Sequence, residues 1–304
     1  MSKISILDGG LGQEIQKRSK KTAHPLWSVM VMLEKPEIVL QVHKDFIKNG
    51  SRVICLNTYT ATITRMNRYG LGDKLETVHK TAINLALQSI NESKLKKNSL
   101  QLAGCLPPLV SSYISDDSMD YEKSLDEYRH LVDYQKKDVD LFLIETMSNT
   151  EEALAAINAV RETEKPVYLS FTLDDNNSKK LRSGENLTVA IDKISKELPN
   201  GIMLNCSFPE TITSAMPTLA KLNIPFGGYA NGFKSIEPLT SGSTVDYLSS
   251  RIDLTPEIYF NFVEQWINEG ATIIGGCCEI GPKHIGYICN ILESNGHRLS
   301  KLPI

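Results

Sequence analysis

Three of the six cysteines stand where apolar runs end, and their type and spacing could hold a metal ion. Cys277 and Cys278 follow the run Thr272-Ile273-Ile274-Gly275-Gly276, which is typical of a buried strand that stops at two glycines. Glycines at a strand end allow a sharp turn, where side chains no longer alternate and both thiols can point inward. Two thiolates are half of a tetrahedral zinc site, so the chain must supply a third ligand from another element.

Cys206 is the candidate for that third ligand because it ends a second apolar run, Leu204-Asn205-Cys206. If both runs are strands of one parallel barrel, their ends meet at the same mouth. Three thiolates there predict a zinc site with a fourth position open for water or substrate. Two alternatives are that all three cysteines are buried packing residues, or that Cys277 and Cys278 form a strained disulfide. The three together favour zinc.

Two carboxylates and one aromatic residue are the other candidates for a site. Asp8 and Glu145 each come directly after an apolar run, so either could face the mouth and hold a substrate ammonium group. Alternatively, Asp8 caps the following turn and Glu145 pairs with a basic side chain. Trp27 lies in a long predicted loop, where it could stack on a cation or pack against the barrel rim.

The remaining cysteines and the histidines are not predicted to bind metal. Three cysteines fall within apolar strand or helix patterns and are expected to pack: Cys55, Cys105 and Cys289. The six histidines show no ligand spacing. Those within predicted helices are expected at the surface: His43, His79 and His130.

Strands and helices alternate along the chain. Eight strands are predicted at Ile4–Gly10, Arg52–Asn57, Leu100–Leu106, Asp140–Thr146, Val167–Leu173, Gly201–Cys206, Phe226–Asn231 and from Thr272. Eight helices are predicted at about Pro36–Asn49, Leu75–Ile90, Met119–Asp138, Thr150–Thr163, Leu187–Leu198, Glu210–Leu222, Pro256–Glu269 and Lys283–Leu292. This order favours an α/β fold, a single (β/α)8 TIM barrel.

Loop lengths support the barrel. The connections from helix to strand are short, whereas five connections from strand to helix are long, at residues 9–35, 58–72, 107–118, 174–186 and 232–255. Barrel enzymes carry their chemistry on the strand-to-helix loops, where this chain places its extra length. No linker or change of composition divides the chain, so one domain over residues 1–304 is expected.

Composition excludes several classes of partner. The 304 residues carry a formal net charge of -3 without a basic block, which argues against nucleic acid and anionic membranes. No apolar run approaches the roughly 20 residues of a membrane span, and the first residues do not resemble a signal peptide. Six cysteines in such a chain favour reduced thiols in the cytoplasm. Small molecules are the expected partners; the oligomeric state stays open.

Three thiolates around one metal ion also narrow the chemistry. Their excess negative charge makes the ion a poor activator of water or of a carbonyl group. A substrate thiol bound there would lose its proton yet remain electron-rich and nucleophilic. The pattern therefore predicts sulfur alkylation, with a positively charged sulfonium or quaternary ammonium compound as the alkyl donor.

The motifs together resemble the homocysteine S-methyltransferase family, over about Ile4 to Leu292. The resemblance rests on Asp8-Gly9-Gly10, Leu26-Trp27-Ser28, Glu145-Thr146, Asn205-Cys206 and Gly275-Gly276-Cys277-Cys278. It implies a zinc-dependent barrel that methylates homocysteine to methionine. It further implies that Cys206, Cys277 and Cys278 bind zinc, that Asp8 and Glu145 hold the homocysteine amino group, and that Trp27 lies near the methyl donor.

The resemblance also bears on the donor. Betaine enzymes of the family have an aromatic residue after the matching carboxylate, whereas this chain has Thr146. S-methylmethionine or S-adenosylmethionine is therefore the expected donor. The alternatives are betaine, dimethylsulfoniopropionate, another thiol acceptor or a corrinoid partner protein as donor. An alternative of another class is a non-catalytic barrel that stores zinc or senses redox state.

Overall fold

Strands and helices alternate as predicted in the computed structural model, which describes residues 2–96, 98–114, 118–240 and 244–304. The strands are β1 (Lys3–Ile6), β2 (Val53–Cys55), β3 (Gln101–Leu106), β4 (Leu141–Met147), β5 (Val167–Phe171), β6 (Leu173–Asp174), β7 (Asn177–Leu181), β8 (Gly201–Asn205), β9 (Phe226–Tyr229), β10 (Ile273–Ile274) and β11 (Arg298–Ser300). All eight predicted strands are confirmed.

The helices cover the outside of the sheet. They are α1 (Leu11–Ser19), α2 (Trp27–Glu34), α3 (Pro36–Lys48), α4 (Ile63–Arg68), α5 (Leu75–Asn91), α6 (Tyr121–Gln135), α7 (Thr150–Arg161), α8 (Leu187–Ser195), α9 (Pro209–Leu219), α10 (Glu237–Thr240), α11 (Pro256–Asn268) and α12 (Pro282–Ser294). All eight predicted helices are among them. In the described part of the chain, no helix has the length and apolarity needed to cross a membrane.

Nine strands form one sheet, in the order β11-β1-β10-β9-β8-β5-β4-β3-β2, with parallel pairing throughout. The sheet curls until β2 comes next to β1. The two meet where the backbone N–H of Arg52, directly before β2, donates to the carbonyl of Ile6 at the end of β1, 2.8 Å away. β11 pairs with the outer edge of β1. The remaining eight strands make the predicted (β/α)8 barrel, so the carboxyl ends of all eight point to one mouth.

Several segments predicted as loops contain regular structure. The first, residues 9–35, holds α1 and α2, and the second, residues 58–72, holds α4. Trp27 is therefore the first residue of α2 rather than part of a loop. The prediction failed because α2 is apolar along most of its length and shows no polar–apolar period. The segment 174–186 holds the hairpin β6–β7, and the predicted loops 107–118 and 232–255 lie partly outside the described residues.

Two of the three histidines expected at the surface are buried. His43 is fully buried because it shares the inner face of α3 with Val39 and Phe46, four residues before and three after it. His79 is buried on α5 in the same way. Burial lowers the pKa of each to about 4, so both imidazoles are neutral packing groups. His130 is exposed, as predicted.

The C-terminal residues close the barrel at the end opposite the mouth. Gln101, the first residue of β3, donates from Nε2 to the carbonyl of Leu302 and accepts its N–H at Oε1, at 3.2 and 2.9 Å. The hydroxyl of Tyr168 donates to the carbonyl of Pro303. A side-chain amide thus replaces the strand partner that this tail lacks.

Replacing Gln101 with leucine is expected to lower the free energy of unfolding by about 1–3 kcal/mol, because two buried backbone groups of Leu302 lose their partner. Activity should be unchanged, since Gln101 lies at the far end of the barrel. Urea unfolding measures the free energy of unfolding, and an assay of turnover measures the activity. The control is Gln88→Leu, because Gln88 donates a hydrogen bond to Glu92 on an exposed face of α5. An equal loss of stability in both variants would contradict a stabilising role for the contact between Gln101 and Leu302.

Candidate functional site

A cavity of about 250 Å³ opens at the mouth of the barrel. Its wall is built from residues that end strands or follow them, which is where barrel folds carry their chemistry. All the site residues predicted from the sequence lie in this wall: Asp8, Trp27, Glu145, Cys206, Cys277 and Cys278. The fold therefore brings together residues that are up to 270 positions apart in the chain.

The thiols of Cys206, Cys277 and Cys278 form one group, with their sulfur atoms all within 4.8 Å of one another. Cys206 directly follows β8, and its N–H donates to the carbonyl of Tyr229 at 3.1 Å. The N–H of Cys277 donates to the carbonyl of Ala230, 2.9 Å away. These backbone bonds attach both cysteine segments to the end of β9, the strand between β8 and β10.

Glycines are required where the two cysteine residues meet the first strand. A Cβ at Gly10 would lie 2.4 Å from the carbonyl oxygen of Cys277, and one at Gly9 would lie 2.1 Å from that of Ile280. Neither contact is compatible with a side chain. The glycines after Asp8 therefore let the cysteine turn pack directly against the end of β1.

Electrostatics within the thiol group favour loss of a proton from Cys206. Hydrogen bonds from Cys277 and Cys278 lower the pKa of the Cys206 thiol well below its usual range. The same contacts raise the pKa values of the other two thiols. Three thiols at this separation, one already inclined to ionise, fit the coordination of a thiophilic metal ion. The group could hold such an ion.

Two contacts of Cys206 were not predicted from the sequence. The hydroxyl of Tyr113 lies 3.0 Å from its sulfur, and Asn231 donates from Nδ2 to its carbonyl oxygen at 2.9 Å. Tyr113 comes from the loop after β3 and Asn231 from the segment after β9. Neither position shows periodicity or motif, so nothing in the sequence signals these contacts.

Asp8 is a buried carboxylate and Glu145 a partly buried one in the same wall. Asp8 accepts the N–H of Cys55 at 2.9 Å, and Glu145 accepts the hydroxyl of Tyr229 at 3.2 Å. Burial raises the pKa of both carboxyl groups, and the charge of Glu145 raises that of Asp8 further. In the described residues neither forms an ion pair, so the alternative of a basic partner for Glu145 is not found. Two such groups would be stabilised by a bound cation.

Cys55 and Cys105 are buried, as expected, but they also contact Glu145. Their thiols lie 3.6 and 3.3 Å from its Oε2 atom and form a second three-ligand group within 4.8 Å. Cys105 is level with Leu143, two residues before Glu145 on the neighbouring strand. The alternation of side chains could have revealed this contact only if the strand register had been known.

A paired hydrogen bond joins the thiol segment to the carboxylate segment. Asn205 accepts the N–H of Thr146 at 3.0 Å and donates to its hydroxyl at 2.8 Å. Thr146 has a φ of 61° and marks an irregularity within β4, whereas Cys206 has one of 50° directly beyond the end of β8. The Asn205 side chain thereby fixes the end of β8 against the end of β4.

Trp27 lines the cavity at the start of α2. Its ring packs over Gly12, where a Cβ would lie 2.8 Å from the indole. Its Nε1–H is buried and has no hydrogen-bond partner among the described residues. The indole thus offers the cavity an aromatic surface and one unused donor.

Comparison with known proteins matches residues 5–292 to the model of the homocysteine S-methyltransferase family. A selenocysteine methyltransferase from Astragalus bisulcatus is 27% identical, with 96% of this chain and 93% of the relative covered. A homocysteine S-methyltransferase from Zea mays is also 27% identical, and the match covers 98% of this chain and 93% of the relative. The metallated homocysteine methyltransferase MmuM from Escherichia coli shares the fold, with a TM-score of 0.78 and 24% identity. This match covers 95% of this chain and 96% of the MmuM chain.

Proposed function

Because the chain belongs to the homocysteine S-methyltransferase family, we propose that it is a zinc enzyme that methylates L-homocysteine from a sulfonium donor. S-methylmethionine and S-adenosylmethionine are the two donors proposed. One observation carries the proposal, namely that three thiols and two carboxylates share a single cavity. The thiols suit a metal-bound sulfur, and the carboxylates suit an ammonium group at the other end of a short amino acid.

Cys206, Cys277 and Cys278 would hold the zinc ion. Bound zinc would supply one effect, since it would lower the pKa of a coordinated thiol so that the proton is lost to solvent, while the three thiolates would keep that sulfur electron-rich. The metallated state named for the E. coli structure supports a metal in this fold. No side chain of the cavity is then needed as a general base.

Asp8 and Glu145 would bind the ammonium group of homocysteine. Neither has a cationic partner in the described residues, and desolvation raises the pKa of both carboxyl groups, so an ammonium would offset the cost of their ionisation. The thiols of Cys55 and Cys105 and the hydroxyl of Tyr229 orient Glu145 toward the cavity. Holding both ends of the amino acid would position its sulfur for attack on the donor methyl group.

The wall beside the thiols suits a positively charged donor. Trp27, Tyr59 and Tyr113 line the cavity, and aromatic faces attract sulfonium and ammonium groups. Negative charge at the thiols adds to this attraction. The aromatic wall would also exclude water, which protects the onium group from hydrolysis.

The proposal is tested by methionine formation from homocysteine with four donors, namely S-methylmethionine, S-adenosylmethionine, betaine and dimethylsulfoniopropionate, without any partner protein. We expect turnover with one of the two proposed sulfonium donors. Turnover with none of the four would point to a corrinoid or other partner. Zinc-edge spectroscopy adds a second readout, because homocysteine should become a fourth sulfur ligand in an enzyme, whereas a storage site would not change.

The relative named for selenocysteine gives a reason to test a second acceptor. A selenol binds soft metals at least as readily as a thiol and ionises more easily. Replacing homocysteine by selenocysteine in the same assay asks whether the cavity also accepts the shorter amino acid. Transfer to selenocysteine alone would revise the acceptor while leaving the metal site in place.

Replacing Tyr113 with phenylalanine is expected to lower zinc affinity about 10-fold, because the Cys206 thiolate loses a hydrogen bond from the Tyr113 hydroxyl. Competition with a chromophoric chelator measures the affinity. Tyr287→Phe is the matched control, since Tyr287 packs edge-on against Phe260 at the outer helices. Equal zinc affinity in wild type and Tyr113→Phe would show that the hydroxyl does not support the site.

A further inference from the structure

Arg65 is a buried arginine in the wall of the cavity, on the short helix α4. It is 8% exposed. Its Nη2 donates to the carbonyl of Pro108 at 2.7 Å and to the hydroxyl of Ser112 at 3.4 Å. Its guanidinium carbon lies 5.6 Å from the centre of the Tyr59 ring. These contacts fix the guanidinium in place beside the cavity.

The charge of Arg65 has no direct partner in the described part of the chain. Its Nε is buried without a hydrogen bond, and no carboxylate oxygen of the described residues forms an ion pair with it. Glu152 acts on it through space, but the Glu152 carboxylate is engaged by the N–H of Leu109 and the hydroxyl of Tyr128. An unpaired buried charge is costly, which makes a bound anion the natural complement.

Tyr59 places Arg65 relative to the thiols. Burial raises the pKa of the Tyr59 phenol, and the charges of both Arg65 and Cys206 act on it. Its hydroxyl lies 3.0 Å from that of Ser112, which also contacts Arg65. Tyr59 therefore contacts the guanidinium of Arg65 and also lies within electrostatic range of Cys206. The wall of the cavity carries the thiol group and the positive charge of Arg65 as separate features.

We propose that Arg65 is a carboxylate-binding subsite that selects methyl donors carrying a free carboxylate beyond the onium centre. This rests on the proposed function, since it concerns the donor of that reaction. A zwitterionic donor matches the charge order of the cavity, with its onium centre at the aromatic wall near the thiols and its carboxylate at Arg65. The Nε–H of Arg65 has no hydrogen-bond partner among the described residues, and a planar guanidinium suits a carboxylate.

The acceptor carboxylate is the competing ligand, and the geometry favours the donor. Homocysteine would be held by its sulfur at Cys206 and by its ammonium at Asp8 and Glu145, on the inner strands. Arg65 instead lies on α4, in the segment after β2, and contacts the segment after β3 through Pro108 and Ser112. Kinetics separates the donor carboxylate from the acceptor carboxylate, because loss of Arg65 should raise KM for the donor and leave KM for homocysteine unchanged.

The test compares S-methylmethionine with (3-aminopropyl)dimethylsulfonium, which lacks only the carboxylate. In the wild type we expect kcat/KM to be about 100-fold higher for S-methylmethionine. In Arg65→Met this preference should fall to within about 3-fold, because the carboxyl-free donor never used the guanidinium. Arg65→Lys keeps the charge without the planar fork and should restore part of the preference.

Arg129→Met is the control, since it removes the same charge from an exposed position on α6 that is not part of the cavity wall. Its effect should be small and equal for both donors. A purely structural Arg65 would lower turnover equally with both donors, and this outcome overturns the proposal, as does a rise confined to KM for homocysteine. If the wild type methylates homocysteine from neither donor, the proposed function fails instead. Betaine and dimethylsulfoniopropionate, which carry a carboxylate but no α-amino group, show whether the carboxylate alone is recognised.

Discussion

Replacing Cys206 with serine is expected to abolish zinc binding and methyl transfer together. A serine hydroxyl does not ionise near neutral pH, so the site would keep two thiolates in place of three. Zinc sites with four protein ligands bind with about 10–16 kcal/mol, so one ligand accounts for about 3 kcal/mol, or at least about 100-fold in affinity. Metal content and methionine formation, measured on the same preparation, check both losses.

Cys289→Ser provides the matched control for this change. Cys289 is a buried cysteine on α12, away from the cavity wall, so the same substitution there should leave zinc and turnover intact. Some loss of stability is expected in the control, because a hydroxyl replaces a buried thiol. A Cys206→Ser protein that is free of metal yet fully active would exclude the zinc mechanism.

The thiol group could be predicted from the sequence because the barrel turns chain order into position. Each of the three cysteines directly follows an apolar run, and in a parallel barrel the ends of such runs meet at one mouth. Positions 206 and 277 thus become neighbours once their strands are recognised. The same rule placed Asp8 and Glu145 in the cavity wall without any knowledge of register.

Contacts that depend on loops or on register could not be predicted. Tyr113 and Arg65 reach the cavity from segments after β3 and β2, whose path follows packing rather than periodicity. The thiols of Cys55 and Cys105 looked like packing groups because a strand pattern shows which residues are buried, not which neighbour they face. Strand β11 escaped notice because it is a polar edge segment of three residues.

Replacing Glu145 with glutamine is expected to raise KM for homocysteine about 100-fold. The change keeps the shape of the side chain and removes one of two negative charges available to the ammonium group, and a buried charged hydrogen bond is worth about 2–5 kcal/mol in such comparisons. The effect on kcat should be smaller, since the metal-bound sulfur is untouched. Steady-state kinetics at saturating donor measures both constants.

A deaminated acceptor provides the control for this prediction. 4-Mercaptobutanoate has the thiol and carboxylate of homocysteine but no amino group, so Glu145→Gln should leave its KM unchanged or improve it. The difference between the two acceptors isolates the contact between ammonium and carboxylate from any general disturbance of the cavity. An equal loss for both acceptors would indicate that Glu145 supports the structure rather than the substrate.

The pH dependence of stability gives an independent check on the same residue. Burial raises the pKa of Glu145 in the folded protein, so the folded state holds its proton to higher pH than the unfolded state. Its ionisation therefore destabilises the substrate-free protein as pH rises through the raised pKa, and the effect vanishes below the unfolded value. Glu145→Gln should then be more stable than the wild type at pH 8 but not at pH 4 in urea unfolding. Homocysteine should reduce this difference, because its ammonium stabilises the ionised carboxylate that the free protein disfavours.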